Sequence, residues 1–191
     1  SSVKEIFNLN EDEFINKKKF IIEKVQRIVS RDVRESSVED LLRSATESLT
    51  ENSVDGIFAP LFYIFLGTIL IKLSIYFPGP LSLGYAYKAI STLDSMIGYK
   101  HEPYTKLGFA SAKIEDFITF IPCRIVVLTL PLLSKDINKY FIIIKKVFNE
   151  GSQYESPNSG LSEGIFAHVV NIKLGGKNKY KNGLVFKPIL N

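Results

Sequence analysis

Residues 57–77, IFAPLFYIFLGTILIKLSIYF, limit what this chain can fold into more than any other stretch. At about 1.5 Å rise per residue such a run spans roughly 31 Å as a helix, the depth of a bilayer's hydrocarbon core. Pro60 falls in its first turn, where a missing N–H is tolerated. Lys72 can extend its ammonium toward headgroups, and Tyr76 suits the interface. Pro78-Gly79-Pro80 then stops the helix. The rival is a dry helix at the centre of a water-soluble domain, for which the run is unusually long.

A second apolar run, 117–133, contains Pro122, Arg124 and Pro131. A kinked span, a re-entrant segment and an interfacial helix all fit it. A charge near the middle of an intramembrane segment costs about 2.5–3.5 kcal/mol unless it is paired or faces water. Arg124 therefore reads either as lining a site or as a structural ion pair, with Glu115 and Asp116 the nearest candidate partners.

The remaining segments are polar and helical in pattern. Phe14, Ile21, Ile22, Val25, Ile28 and Val29 recur at helical intervals beside Lys17–Lys19, a wet face or a headgroup contact. Ser36 and Ser37, followed by Glu39 and Asp40, predict a capped helix start, and Leu41, Leu42, Ala45 and Leu49 its stripe. That helix is expected to end near Thr50, with Gly56 permitting a turn. Glu51, Asn52 and Asp55 gather just before the first apolar run. They read as a solvated helix end, or as a place to hold magnesium or orient an amine.

A helix over 85–98 divides into two faces: Ala86, Ala89, Ile90, Leu93 and Ile97 on the side expected to pack, and Lys88, Ser91, Thr92, Ser95 and Tyr99 opposite, with Asp94 at the boundary. Its polar side offers ammonium, hydroxyl and carboxylate groups to phosphates or a cation, or simply to water. Residues 134–155 read as a lysine-bearing helix or hairpin too short to span a bilayer, and Ser156–Gly160 as a turn able to present N–H groups to anions. Residues 174–183 read as a further anion or lipid contact, or as a loose tail.

Composition removes several functions. The net charge of +4 is dispersed, without the basic stripe of a nucleic-acid binder. The single Cys123 excludes an internal disulfide, and His101 and His168 lack zinc-ligand spacing. No Walker, dinucleotide, HExxH or GxSxG motif occurs. The expected fold is all-α, a multi-pass helical membrane protein with interfacial helices and polar site-forming loops. It divides into a polar helical region (1–56), a membrane helix (57–77), a polar site region (78–116), a membrane or re-entrant segment (117–133) and a basic C-terminal region (134–191).

Five blocks in series carry a resemblance. TLDSMIGYK, with ENSVDGIFAPLFY (51–63), FASAKIEDFITFIPCR (109–124), SPNSG (156–160) and KLGG (173–176), resembles adenosylcobinamide-phosphate synthase, the integral-membrane CobD/CbiB family of cobalamin biosynthesis. The resemblance covers most of residues 27–183. It implies a single domain at the cell membrane with its site facing the cytoplasm. Family members carry a further apolar N-terminal portion, and the only methionine is Met96, so membrane segments are expected upstream of Ser1. Glu155 stands where the family pattern leads one to expect a histidine nearby, and Glu115-Asp116 where it has two aspartates.

The implied reaction joins a carboxylate of adenosylcobyric acid to the amine of 1-aminopropan-2-ol phosphate, with ATP and Mg²⁺. Glu51, Asp55, Asp94 and Asp116 are then the candidates for catalysis, with Asp94 and Asp55 also for magnesium. Arg31, Lys88, Lys100 and Arg124 are candidates for phosphates and carboxylates, and Asn52, Ser95, Tyr99, Ser156 and Asn158 complete the substrate contacts. Implied partners are the corrinoid, the amine phosphate, the bilayer and other membrane proteins of the same pathway, with no nucleic acid. The alternative is a non-catalytic membrane sensor or scaffold similar to the AmpE branch.

Overall fold

The computed structural model describes residues 11–75, 78–98, 107–133, 137–180 and 183–191. Helix α1 (Glu11–Gln26) packs on α2 (Val38–Ser53) through Ile21, Val25, Val29, Val33, Leu41 and Ala45. The expected cap is present: Ser37 Oγ accepts from the Asp40 N–H at 3.1 Å and donates to its carboxylate at 2.9 Å.

The helix does not end near Thr50, and Gly56 makes no turn. It runs on through a π-helical turn, Val54–Phe58, into α3 (Ala59–Lys72), giving one rod over Val38–Lys72. The Ala59 N–H reaches back to the Val54 carbonyl, five residues earlier. That wider register carries the helix past Pro60, which has no N–H to give. The rod stops at Lys72, earlier than the apolar run; Ser74 takes a left-handed φ of 59°. Tyr76, with Phe77, lies outside the described residues.

Helix α4 (Pro80–Ile97) folds back along α3. A Cβ on Gly67 would come within 2.9 Å of the Pro80 Cα, and one on Gly84 within 2.7 Å of Ile64 Cγ1, so glycine lets the two backbones approach. The side of α4 expected to pack does not: Ala86, Ala89 and Leu93 are exposed and Ile90 and Ile97 half-buried, while on the expected polar side Lys88, Thr92 and Ser95 are exposed as read and Ser91 is buried. Gly84, Tyr87 and Ser91 are its buried positions, whereas Leu81, Tyr85, Leu93 and Met96 point outward, Tyr85 being 73% exposed. Small and polar residues pack and large apolar ones face out, as lipid as the surrounding solvent would favour.

Helix α5 (Leu107–Thr129) is continuous through Pro122 and ends in a 3₁₀ turn, Leu130–Leu133, so the second run is not re-entrant. Among the described residues two helices, Val38–Lys72 and Gly108–Leu133, are long and apolar enough to cross a membrane. Only 17% and 33% of their most apolar windows are buried, which the core helix of a soluble domain would not tolerate.

Helices α6 (Tyr140–Gly151) and α7 (Ser159–Val170) follow, the latter buried from Gly160 to Ile165 and again at Ala167. Val54, Cys123, Val126, Val127, Val147, Leu161 and Ile165 form the core shared by the π turn, α5, α6 and α7.

The all-α expectation fails at the C-terminus, where strands β1 (Leu174–Tyr180) and β2 (Gly183–Leu190) form an antiparallel hairpin in place of a loose tail. Asn182-Gly183, the strongest short hairpin signal, precedes a β-prone Leu-Val-Phe run. Gly175, at φ 84°, sits at a register shift where a Cβ would collide with the Pro188 carbonyl. Buried charges dock the hairpin. Glu47 accepts from Arg31 at 2.5 Å and from the Gly175 N–H at 2.8 Å; Lys187 donates to Glu163 at 2.8 Å. Arg31 is therefore no surface charge, although Asp32 does form an exposed pair with Arg34.

Candidate functional site

Where the π turn, α4, α5 and the start of α7 meet, they enclose a cavity of about 660 Å³. Among the described residues its wall carries six carboxylates, Glu51, Asp55, Asp94, Glu115, Asp116 and Glu155, and one ammonium, Lys113. The site lies at the level where the polar half of the Val38–Lys72 rod gives way to the apolar half.

One side is a chain of hydrogen bonds across three elements. Asp55, on the π turn, lies 3.3 Å from the Tyr87 hydroxyl, which is 2.9 Å from Thr119 Oγ1; that hydroxyl donates to Glu115 at 2.5 Å. Tyr87 and Thr119 are both buried, and Tyr87 stacks on Tyr63 with ring centres 5.3 Å apart. Two carboxylates are thus fixed by two hydroxyls that have almost no freedom of their own.

The opposite side is the entry to α7. Ser156 Oγ donates to Asp116 at 2.8 Å and accepts from the Asn158 and Ser159 N–H groups. The Asn158 amide donates to the Asp116 carbonyl at 2.8 Å, and its oxygen accepts from Arg124 at 2.9 Å. Arg124 also lies over the Phe120 ring, 3.3 Å from its centre, and borders a neighbouring cavity with Tyr154 and Glu155. Its role here is to fasten the Ser156–Asn158 turn to α5.

Asp94 closes the cavity. Its Oδ1 is buried and, among the described residues, has no hydrogen-bond partner. Burial, and then the nearby charge of Asp116, hold its carboxyl above the ordinary range. An unpartnered carboxylate oxygen in a cavity is a receptor for a cation or an N–H donor. Among the described residues no three His, Cys, Asp or Glu side chains converge on a metal site of their own. Hard oxygen donors still suit magnesium, which is commonly held by one or two carboxylates plus a substrate's phosphates.

Of the residues singled out in the sequence, Glu51, Asp55, Asp94, Asp116, Ser156 and Asn158 meet in this cavity. Asn52, Lys88 and Ser95 are exposed and outside its lining; Asn52 and Ser95 bond within their own helices, to the Ser48 and Thr92 carbonyls. Arg31 lines a separate cavity. Tyr99, Lys100 and His101 fall outside the described residues. Thr119 and Tyr87 escaped the sequence reading as site residues, and Glu115 entered it only as a possible partner of Arg124 and as a departure from the family's two aspartates. The signal was there: Glu115 and Thr119 stand four apart on one helix face, and Tyr87, Ser91 and Asp94 follow one stripe of α4.

Comparison with known proteins agrees with the resemblance of the five blocks. Residues 8–191 match the family model described as CobD/Cbib protein. Over 168 residues the chain is 45% identical to a Synechocystis sp. protein named cobalamin biosynthesis protein CobD, covering 88% of this chain and 47% of that one. It is 37% identical over 172 residues to the Clostridium tetani protein of the same name, covering 88% and 50%. Cobalamin biosynthesis protein CbiB of Salmonella arizonae is 37% identical over 166 residues, covering 86% and 48%. The chain spans about half the length of these curated relatives. No solved structure matches. With nearly its whole length matched, this chain belongs to the CobD/CbiB family.

Proposed function

We propose that this chain carries the acidic, amine-receiving part of a membrane-bound, ATP-dependent amide synthase of cobalamin biosynthesis, joining adenosylcobyric acid to 1-aminopropan-2-ol phosphate. Its relatives' names support the pathway; the reaction follows from the family resemblance. The observation that carries the reading is the unpartnered Asp94 oxygen in a cavity walled by carboxylates.

An amine attacks an acyl carbon only as the free base, so a synthase must take a proton from an ammonium group. Asp94 is placed to receive that proton, and its raised affinity for protons suits it to the task. Asp55 and Glu115, fixed through Tyr87 and Thr119, shape the wall that draws the cation in. Asp116, locked by Ser156 and Asn158, holds the opposite wall. Lys113, 4.0 Å from Asp116, is the cavity's positive group toward an anionic substrate end. Bound ATP with magnesium would supply the phosphoryl group that activates the acid; Asp55 would hold the metal, leaving Asp94 to take the proton of the amine. The protein sits in the cell membrane as a multi-pass chain, its cavity opening to the cytoplasm where ATP is found. A sensor or scaffold would need the apolar helices but no such array of oriented carboxylates.

The test uses full-length protein in membranes given adenosylcobyric acid, the amine phosphate, ATP and magnesium. Amide forms with the wild type and not with Asp94→Asn at equal membrane content. No amide from the wild type rejects the reaction; unimpaired Asp94→Asn rejects the site.

A further inference from the structure

A second cavity, of about 420 Å³, lies between the end of α1, the start of α2 and β1, and shares no lining residue with the acidic one. Its chemistry is set by Asn178, which is 1% exposed. The Asn178 Oδ1 accepts from Arg31 Nη1 at 2.5 Å and from Arg43 Nη1 at 3.1 Å. Guanidinium groups only donate, so these two contacts fix which way the amide faces; turned over, it would set donors against donors. Its Nδ2 is thereby directed away from both arginines. It is buried, with no hydrogen-bond partner among the described residues. A buried donor left unpaired is rare and costly, which makes it a mark of a missing acceptor.

The charges around it are arranged for that acceptor to be an anion. Each carboxylate of the wall already has its own cation: Asp32 with Arg34 at 2.6 Å, Glu35 with Lys179 at 2.5 Å, Asp40 with Arg43 at 2.7 Å. Glu47, behind the wall, is engaged by Arg31 and Arg43. Lys177 stands exposed on the rim, and the hydroxyls of Ser36 and Ser44 also belong to the wall. We propose that this cavity is an oxyanion site of the phosphate class, in which Asn178 Nδ2 donates to a phosphoryl oxygen and Lys177 supplies the attracting charge. Both come from β1, so the site exists only when the hairpin is docked on α2. Arg43 joins the two: it also donates to the Gly175 and Lys177 carbonyls of that strand. Occupancy therefore stabilises the hairpin's attachment. The ligand is a soluble phosphate or phosphomonoester, or a phosphate headgroup of the bilayer.

The experiment measures thermal unfolding of full-length protein in neutral phosphatidylcholine nanodiscs, with inorganic phosphate against chloride at matched ionic strength. A parallel arm replaces part of the lipid with phosphatidic acid. Stabilisation by inorganic phosphate identifies a soluble ligand; stabilisation by phosphatidic acid alone identifies a headgroup. Asn178→Asp keeps the oxygen that the arginines hold and replaces the free donor with a second acceptor. It should weaken binding about tenfold or more without loss of fold. Lys177→Glu, on the exposed rim, should weaken it several-fold and cannot disturb the core. Absence of stabilisation in both arms overturns the proposal, as does a response that either variant leaves unchanged.

Discussion

The Val38–Lys72 rod joins two regions built on opposite rules. Around its first half, with α1, α7 and the hairpin, polar groups are inside: Arg31, Glu47, Glu163 and Asn178 are buried, Arg31 pairing with Glu47 and Lys187 donating to Glu163. Around its second half, with α4 and α5, large apolar side chains face outward instead, Phe65 at 64% exposed and Phe117 at 81%. Water around the first region and lipid around the second would produce this contrast from one chain. The acidic cavity lies at their junction, which is where a polar substrate meets a membrane anchor.

The contrast can be tested from both sides, and the largest effect belongs to the watery half. Glu47→Ala leaves Arg31 buried without its counter-charge and frees the Gly175 N–H, a loss of about 3–5 kcal/mol. Denaturant unfolding in detergent reads it directly. On the lipid half, Phe65→Arg should cost about 2.5–3.5 kcal/mol of insertion and lower the fraction that resists alkaline extraction from membranes. On the surface of a soluble globule the same change would be nearly silent.

A smaller effect is set by pH. Burial pushes the Glu163 carboxyl up from 4.5 to about 8, against the pull of Lys187 and aided by Glu51 and Glu47. A carboxyl whose folded pKa is raised contributes stability that is fully present below its unfolded value and lost as pH rises through the folded one. The unfolding temperature should therefore fall as pH climbs from 4.5 through about 8, and Glu163→Gln should flatten that slope. The smallest effect is Arg34→Ala, which breaks only an exposed pair with Asp32 and should leave unfolding unchanged.

Sequence reasoning worked where a single local rule decides. The Ser37 cap, the apolar run of α3 and the carboxylates clustered beside each run were all legible, because capping and hydropathy are local, whereas the unbroken course of α5 through Pro122 was left open. It failed where the surroundings decide. The apolar side of α4 looks like a packing face only if the solvent is water; in lipid the glycine, Tyr87 and Ser91 side packs instead. The π turn was hidden because Gly56 reads as a breaker until Pro60 is seen to need a wider register. The buried roles of Glu47 and Glu163 went unread, since their partners Arg31, Gly175 and Lys187 lie far away in sequence. The hairpin that supplies two of those partners announced itself only in Asn182-Gly183.

The most direct measurement of the two-solvent account places single fluorescent labels at residues 65, 117 and 185 in a Cys123→Ala background, in bilayers of brominated lipid. Residues 65 and 117, on α3 and α5, should be quenched by brominated acyl chains, and residue 185, on the exposed side of β2, should not. Equal quenching at all three, or none at 65 and 117, would contradict it.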